Sequence, residues 1–163
     1  MVRTLLTIAI VVSFAASNVF ALGPEMIGKP APAFTLKTID GHSILSLDAL
    51  RGQVVIIDFW ASWCAPCRRS LPQLVALEAG KAGVKLVAVN IDDDRKNGVE
   101  FLKRNRISLV SLYDEAKHVV DQYDVPAMPS ALIIDKRGVV RFVHAGYTES
   151  DIEIIKKEVE RLL

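Results

Sequence analysis

The two cysteines of the chain stand three positions apart in the segment Trp63-Cys64-Ala65-Pro66-Cys67. Two thiols at this spacing can close on each other as a disulfide. The preceding run, Val54–Trp60, is apolar and β-branched apart from one carboxylate, which is typical of a buried central strand. The following residues have leucines at helical spacing, so the cysteines are expected where a strand leads into a helix.

A helix N-terminus beside Cys64 favours its thiolate, because free N–H groups and the positive end of the helix dipole stabilise negative charge. The thiolate is the attacking species in disulfide exchange, and Cys67 is placed to resolve the mixed disulfide that results. We expect a helix over residues 65–79. Cys64 should then be exposed ahead of it, whereas Cys67 should be shielded one turn inside it.

Other functions of a cysteine pair fit the composition less well. A closed zinc site needs four ligands, and besides Cys64 and Cys67 the chain has only three histidines to offer. Covalent haem attachment requires a histidine directly after the second cysteine, where Arg68 stands. A purely structural disulfide would close a very small loop and remove little entropy from the unfolded chain. Redox chemistry is therefore the favoured interpretation.

Residues 1–21 have the features of a secretory signal peptide. Arg3 precedes an apolar run, and Val19-Phe20-Ala21 fits a signal-peptidase site. We predict cleavage after Ala21, with an uncleaved N-terminal membrane anchor as the alternative. Export to the periplasm or another extracytoplasmic space would place the cysteines where disulfides persist. A reductant working there needs a further protein to supply its electrons.

Residues 22–163 suit a single domain with a sizeable core. The whole chain has 20 basic and 19 acidic residues, and removal of Arg3 with the signal makes the two numbers equal. No basic stripe is left to bind phosphates, so nucleic acid is not an expected partner.

Strand and helix patterns alternate along this domain and predict an α/β sandwich with a mixed sheet. Asp40-Gly41 between two short strands is a hairpin signal. Ser150 and Glu153 have the spacing of a capping box at the start of a last helix. The predicted elements, in order, are 34–39, 43–47, 54–60, 65–79, 84–91, 97–106, 109–113, 115–123, 131–135, 139–144 and a terminal helix after 150.

Four segments together resemble thioredoxin-fold proteins of the TlpA/ResA type, within the redoxins related to AhpC/TSA. The resemblance extends along nearly all of residues 22–163. It implies a thioredoxin-like three-layer sandwich with an N-terminal β-hairpin extension, and an oxidoreductase that exchanges disulfides with protein substrates without a cofactor or metal. The segments are Gly-Lys-Pro-Ala-Pro-Ala-Phe at 28–34, Asp-Phe-Trp-Ala-Ser-Trp-Cys-Ala-Pro-Cys at 58–67, Pro72, and Val-Pro-Ala-Met-Pro-Ser at 125–130.

The resemblance also implies roles for single residues. Asp58 corresponds to a buried acid beneath the second cysteine, where burial would raise its pKa and make it a proton acceptor for Cys67. Pro129 corresponds to a cis-proline that faces the cysteine pair and turns the backbone of Met128 outward, to pair with a bound substrate strand. Trp63 is expected to contact the substrate beside Cys64.

Three further residues are possible modulators of the site. Ala65 and Pro66, between the cysteines, are expected to tune the reduction potential together with Met128. Asp93 is the nearest match to a glutamate that ResA-type proteins have near the active site. The acidic run 92–94 is equally compatible with a solvated loop, so both interpretations of Asp93 stay open.

Resemblance to the TlpA/ResA group favours a reductant that serves cytochrome c maturation or copper-site assembly, with electrons from a membrane thiol-disulfide transporter. A Cu(I)-binding chaperone that uses Cys64 and Cys67 is the alternative from another class, since thiolates suit Cu(I). A peroxidase is less favoured. Residues 28–34 also resemble the start of peroxiredoxins, but Ile57 and Ala61 stand where those enzymes need a proline and a threonine or serine.

Overall fold

Seven strands and four α-helices form in residues 23–163, the part of the chain that the computed structural model describes. The predicted signal peptide at 1–21 lies outside the described residues. The strands are β1 Thr35–Thr38, β2 Ile44–Ser46, β3 Val54–Trp60, β4 Val84–Asn90, β5 Ser111–Tyr113, β6 Ser130–Ile134 and β7 Val140–Ala145. The helices are α1 Cys67–Ala79, α2 Arg95–Arg104, α3 His118–Gln122 and α4 Asp151–Leu162, and short 3-10 helices form at Pro24–Met26 and Leu47–Leu50.

The strands form one mixed sheet in the order β2-β1-β5-β4-β3-β6-β7. β3, β4 and β5 are parallel to one another, whereas all other neighbouring strands are antiparallel. All seven residues of β3 are buried, which explains its uninterrupted apolar sequence. The predicted mixed sheet and the N-terminal hairpin of β1 and β2 are confirmed.

Helices cover both faces of the sheet, so the domain has three layers. Ile56 and other alternate residues of β3 pack against α1 and α4, and Trp60 on the same face contacts Phe101 of α2. Ile57 and Phe59 point the other way, into a core with Val119 of α3 and the two 3-10 helices. Among residues 23–163, no helix is both long and apolar enough to cross a membrane.

Helix α1 begins at Cys67, two residues later than the sequence predicts. The Cys67 N–H donates to the carbonyl of Cys64 in a turn, and the first bond of α-helical spacing runs from Ser70 N–H to the carbonyl of Pro66. Cys67 therefore lies at the first position of the helix, and the prediction that it lies one turn inside is wrong. Helix α2 begins at Arg95, earlier than predicted, because the carboxylate of Asp94 accepts the Lys96 N–H at 2.9 Å.

The start of α4 is correctly placed, but its predicted capping box does not form. Ser150 is the N-cap, yet its backbone is helical and its side chain bonds no helix N–H. Its hydroxyl lies 2.9 Å from the Thr148 hydroxyl instead. The carboxylate of Asp151 accepts the Thr148 N–H and takes over the role of fixing the turn.

Candidate active site

Cys64 and Cys67 are joined by a disulfide at the edge of the sheet where β3 leads into α1, with their Cα atoms 5.3 Å apart. The main-chain N–H of Cys67, the first residue of the helix, lies 3.2 Å from the sulfur of Cys64 and donates to it. When the pair is reduced, this N–H and the helix dipole stabilise negative charge on Cys64. The arrangement therefore favours Cys64 as the thiolate.

The two sulfurs differ in exposure less than the sequence predicts. Cys64 is 4% exposed and Cys67 is 0% exposed, so the expectation of an exposed Cys64 is wrong. Cys64 belongs to the apolar cluster of Trp60 and Leu71, against which Met128 packs. Met128 lies far along the chain, and its packing over the cysteines is a tertiary contact that local sequence does not reveal. Of the two cysteines, only Cys64 keeps some surface.

An open groove of about 520 Å³ runs past Cys64. Its lining is apolar apart from main-chain groups, and Trp63 stands at its border with 65% of its surface exposed. An exposed tryptophan beside an apolar groove is a common feature of surfaces that bind another chain. The lining residues are Trp63, Cys64, Ala65, Pro66, Ile91, Val120, Val125, Pro126, Ala127 and Met128.

The segment before β6 forms one side of this groove. The Met128-Pro129 peptide bond is cis, as the resemblance implies. The carbonyl of Pro129 accepts the Gly146 N–H at 2.8 Å, and the carbonyl of Ala127 accepts the Ser130 hydroxyl at 2.8 Å. Between these two fixed points, the N–H and carbonyl of Met128 form no hydrogen bond within residues 23–163. They are available to pair with another strand.

Asp58 lies in the middle of β3 and is 1% exposed. Its side chain points to the face that α1 covers and lines a small cavity with Ser70, one helical turn beyond Cys67. Burial raises the pKa of this carboxyl well above its usual range, because the charged form loses its hydration there. Within the described chain, its Oδ2 atom has no hydrogen-bond partner. Asp58 thus has the burial and the raised pKa that the resemblance implies.

Asp93 is not brought to the cysteines. Its side chain is fully exposed, lies 3.6 Å from the Lys117 ammonium, and borders a different groove next to β1. The structure thus favours the second interpretation of Asp93, a solvated loop residue.

The neighbouring Asp92 is the acid that reaches the active-site turn, and sequence reasoning missed it. Asp92 is buried, and its carboxylate accepts the N–H and the hydroxyl of Ser62, at 3.1 and 2.8 Å, and the side-chain N–H of Asn90 at 2.8 Å. It therefore fixes the turn two residues before Cys64. The only signal in the sequence is its place directly after the buried strand.

Trp60 is completely buried, and its indole N–H donates to the Ser111 hydroxyl at 3.1 Å. This agrees with the burial predicted for the run Val54–Trp60, whereas Trp63 is exposed. Among the residues described, no three His, Cys, Asp or Glu side chains come together in a way that could hold a metal ion.

Comparison with known proteins identifies the family. The family model described as AhpC/TSA matches residues 27–143, which is most of the chain. The chain belongs to the AhpC/TSA family. Within this family it is a redoxin of the TlpA/ResA type, because relatives named for disulfide exchange match it over most of its length.

Two curated relatives and one solved structure illustrate the similarity. Thiol-disulfide oxidoreductase ResA of Geobacillus kaustophilus is 33% identical over 130 residues, 78% of this chain and 74% of the relative. Thiol:disulfide interchange protein DsbE of Escherichia coli is 34% identical over 129 residues, 77% of this chain and 68% of the relative. A crystal structure described as a DsbE-type interchange protein from Chlorobium tepidum has a TM-score of 0.79 and 32% identity, and the match covers 83% of this chain and 96% of that one. This redoxin is thus a thiol-disulfide oxidoreductase with a thioredoxin-like fold and the pair Cys64-Cys67.

Proposed function

We propose that this redoxin is exported and reduces disulfides in protein substrates, with Cys64 as the attacking thiol and Cys67 as the resolving thiol. The observation that carries the proposal is the asymmetry of the pair. The sulfur of Cys64 receives the helix N–H and borders an open groove, whereas Cys67 is fully buried. A thiol that reaches a partner must be on the open side, and the thiol that releases the partner can stay inside.

The proposed reaction has two steps. The Cys64 thiolate attacks one sulfur of the substrate disulfide, a mixed disulfide forms, and the other substrate sulfur leaves as a thiolate. The Cys67 thiol then gives its proton to the Asp58 carboxylate and attacks the sulfur of Cys64. The Cys64-Cys67 disulfide forms, and the second substrate thiolate leaves. Two electrons have moved from the pair to the substrate. The burial and raised pKa of Asp58 support its role as the base, because the buried carboxylate holds a proton more strongly than an exposed one does.

The apolar groove supports a polypeptide as the substrate. The free N–H and carbonyl of Met128 suit an extended segment that adds to the edge of the groove by main-chain hydrogen bonds. Trp63 would cover the substrate residues next to the reacting sulfur, and Ala65 and Pro66 would contact them from the helix side. Pro129 positions Met128 in this arrangement.

The proposal also includes the direction of electron transfer and the location of the protein. Resemblance to the TlpA/ResA group supports a reductant for cytochrome c maturation or copper-site assembly, supplied with electrons by a membrane thiol-disulfide transporter. The sequence of residues 1–21 supports cleavage after Ala21 and an extracytoplasmic mature domain, 22–163. Mass spectrometry of the exported protein tests the cleavage, because the mature chain should begin at Leu22. A reduction potential nearer to about −270 mV, as in thioredoxin, than to about −120 mV, as in DsbA, would support a reductant.

Trapping experiments with single cysteine variants test the mechanism. With Cys67→Ser, Cys64 can still attack, but nothing resolves the adduct, so mixed disulfides with partner proteins should accumulate in the exported compartment. With Cys64→Ser they should not. Non-reducing gels compare the two variants, and identification of the trapped chains names the substrates. Equal trapping by both variants, or by neither, would contradict the assigned roles and return weight to Cu(I) binding by the two thiolates together.

A further inference from the structure

A small cavity shares no lining residue with the groove past Cys64. It is lined by Asp58 of β3, the α1 residue Ser70, His144 of β7 and Asp151 of α4. Its volume is about 20 Å³. A water molecule needs roughly 10–15 Å³ of such space, so the cavity can hold one water.

Two unpartnered polar atoms belong to residues that line this cavity. Within residues 23–163, Asp58 Oδ2 and His144 Nε2 are the buried side-chain nitrogen and oxygen atoms that have no hydrogen-bond partner. Asp58 and His144 both line the cavity. Buried polar atoms are rarely left unpaired in folded proteins, and a buried water usually bonds two to four of them. One water between Asp58 and His144 satisfies both atoms.

The imidazole of His144 connects this cavity with the surface. The side chain is 27% exposed although its Nε2 atom is buried, so part of the side chain reaches solvent. Nε2 lies 2.9 Å from Asp151 Oδ2, which is an ion-pair distance.

The contact between Asp151 and His144 also affects the pKa of Asp151. Partial burial alone would raise the pKa of its carboxyl. Hydrogen bonds from the Thr148 N–H and hydroxyl and the contact with His144 outweigh that effect and hold the pKa below its usual range. Other polar groups near the cavity are Ser70, the Tyr147 hydroxyl, which donates to Gln73 Oε1 at 3.1 Å, and the Arg69 guanidinium above the Tyr147 ring. None of these is a carboxylate or an imidazole.

We propose that His144 is the proton exit for Asp58. A water in the cavity carries the proton from Asp58 to His144 Nε2, the doubly protonated ring loses the proton of its other nitrogen to solvent, and proton exchange with solvent returns the ring to its starting tautomer. The inference rests on the proposed role of Asp58 as the base for Cys67. Each oxidation of the pair leaves one proton on Asp58, and its removal restores the carboxylate without any change in electron count. Re-reduction of the disulfide by the thiol donor supplies Cys67 with a new proton. His144 acts through Asp58 and does not touch the sulfurs.

Stopped-flow measurement of the resolving step tests this proposal. His144→Gln should slow release of the mixed disulfide by roughly tenfold, less than the loss of a general base, which costs about 100-fold or more. Tyr147→Phe is the matched control, because it removes a polar group from the same cavity wall and should leave the rate unchanged. Added imidazole should restore the rate of His144→Ala, which leaves space for it, but not that of His144→Gln.

The variant Asp58→Asn distinguishes the proposed role of Asp58 as the base from the proposed role of His144 as the proton exit. If Asp58→Asn releases the mixed disulfide at the native rate, the proposed role of Asp58 fails, and the exit fails with it. If Asp58→Asn is slow but His144→Gln is as fast as the native chain, only the exit is wrong. His144→Gln should have no further effect in the Asp58→Asn background. An equal slowing in both backgrounds would mean a merely structural effect and would overturn the exit.

A second measurement leaves His144 unchanged. If a water links the two side chains, Asp58→Asn should shift the titration midpoint of the His144 ring nitrogens, followed by ¹⁵N NMR. An unchanged midpoint would also overturn the proposal.

Discussion

From the burial of Asp58 we predict how the free energy of unfolding depends on pH, which can be measured without a partner protein. In the unfolded chain its carboxyl should titrate near the ordinary value of 3.8, whereas in the folded chain burial raises the pKa well above that value. Between the two values the unfolded state has lost a proton that the folded state still holds. The free energy of unfolding therefore falls as the pH rises through this window. Below the window both states hold the proton, and the penalty vanishes.

The slope of this effect follows from proton linkage. One proton of difference changes the free energy of unfolding by about 1.4 kcal/mol per pH unit. Asp58→Asn has no proton to lose, so the stability of the variant relative to the native chain should rise with that slope from about pH 4. It should level off at the folded pKa of Asp58. The pH at which the difference becomes constant therefore measures that pKa.

Denaturant unfolding of the two oxidised proteins at a series of pH values provides the measurement. Asp93→Asn serves as the control, because Asp93 is fully exposed and its ion pair with Lys117 is a surface contact of little energetic weight. Its stability difference should stay nearly flat over the same range. A difference between native and Asp58→Asn proteins that does not change with pH would refute the conclusion that burial raises the pKa of Asp58.

Three further predictions concern the surroundings of the cysteines. Trp63→Ala should raise the KM for a protein disulfide but leave reduction of a small disulfide such as oxidised glutathione unchanged. Steady-state kinetics with both substrates test this, and an equal loss of activity on both would contradict it. Asp92→Asn should lower the free energy of unfolding by about 1–3 kcal/mol, because the amide cannot accept all the hydrogen bonds from Ser62 and Asn90. An unchanged denaturation midpoint would contradict the role of Asp92 in fixing the turn. Gly98→Ala should destabilise α2 despite the better helix propensity of alanine, since its Cβ would lie 2.6 Å from a methyl carbon of Ile39 and 2.9 Å from the Asn90 amide nitrogen; a higher melting temperature would show that the neighbours can move.

The sequence predicts the framework of the site well because strong local signals specify it. The run Val54–Trp60 is predicted with the bounds that the structure shows, since continuous burial on both faces demands continuous apolar sequence. Trp60, the last residue of this run, is buried with it. The position of the cysteines at the end of this strand follows directly.

Errors arise where long-range packing decides. Cys64 is 4% exposed and belongs to a cluster against which Met128, a residue distant in sequence, packs. Asp92 and Asp93 are chemically identical neighbours, and one residue of difference after the strand turns the first inward and the second into solvent. Nothing local distinguishes them. His144 likewise meets the cavity only because β7 pairs with β6 and α4 folds back over the sheet.

The groove past Cys64 and the cavity lined by Asp58 are separate and differ in chemistry. The groove is apolar and open, which suits a polypeptide. Asp58 and His144 line the cavity, which shares no residue with the groove. A substrate docked against Trp63 and Met128 would exclude water from the sulfurs, yet it would leave the path through His144 open. Proton release could therefore proceed while the mixed disulfide is still in place, which is the stage at which Cys67 must lose its proton.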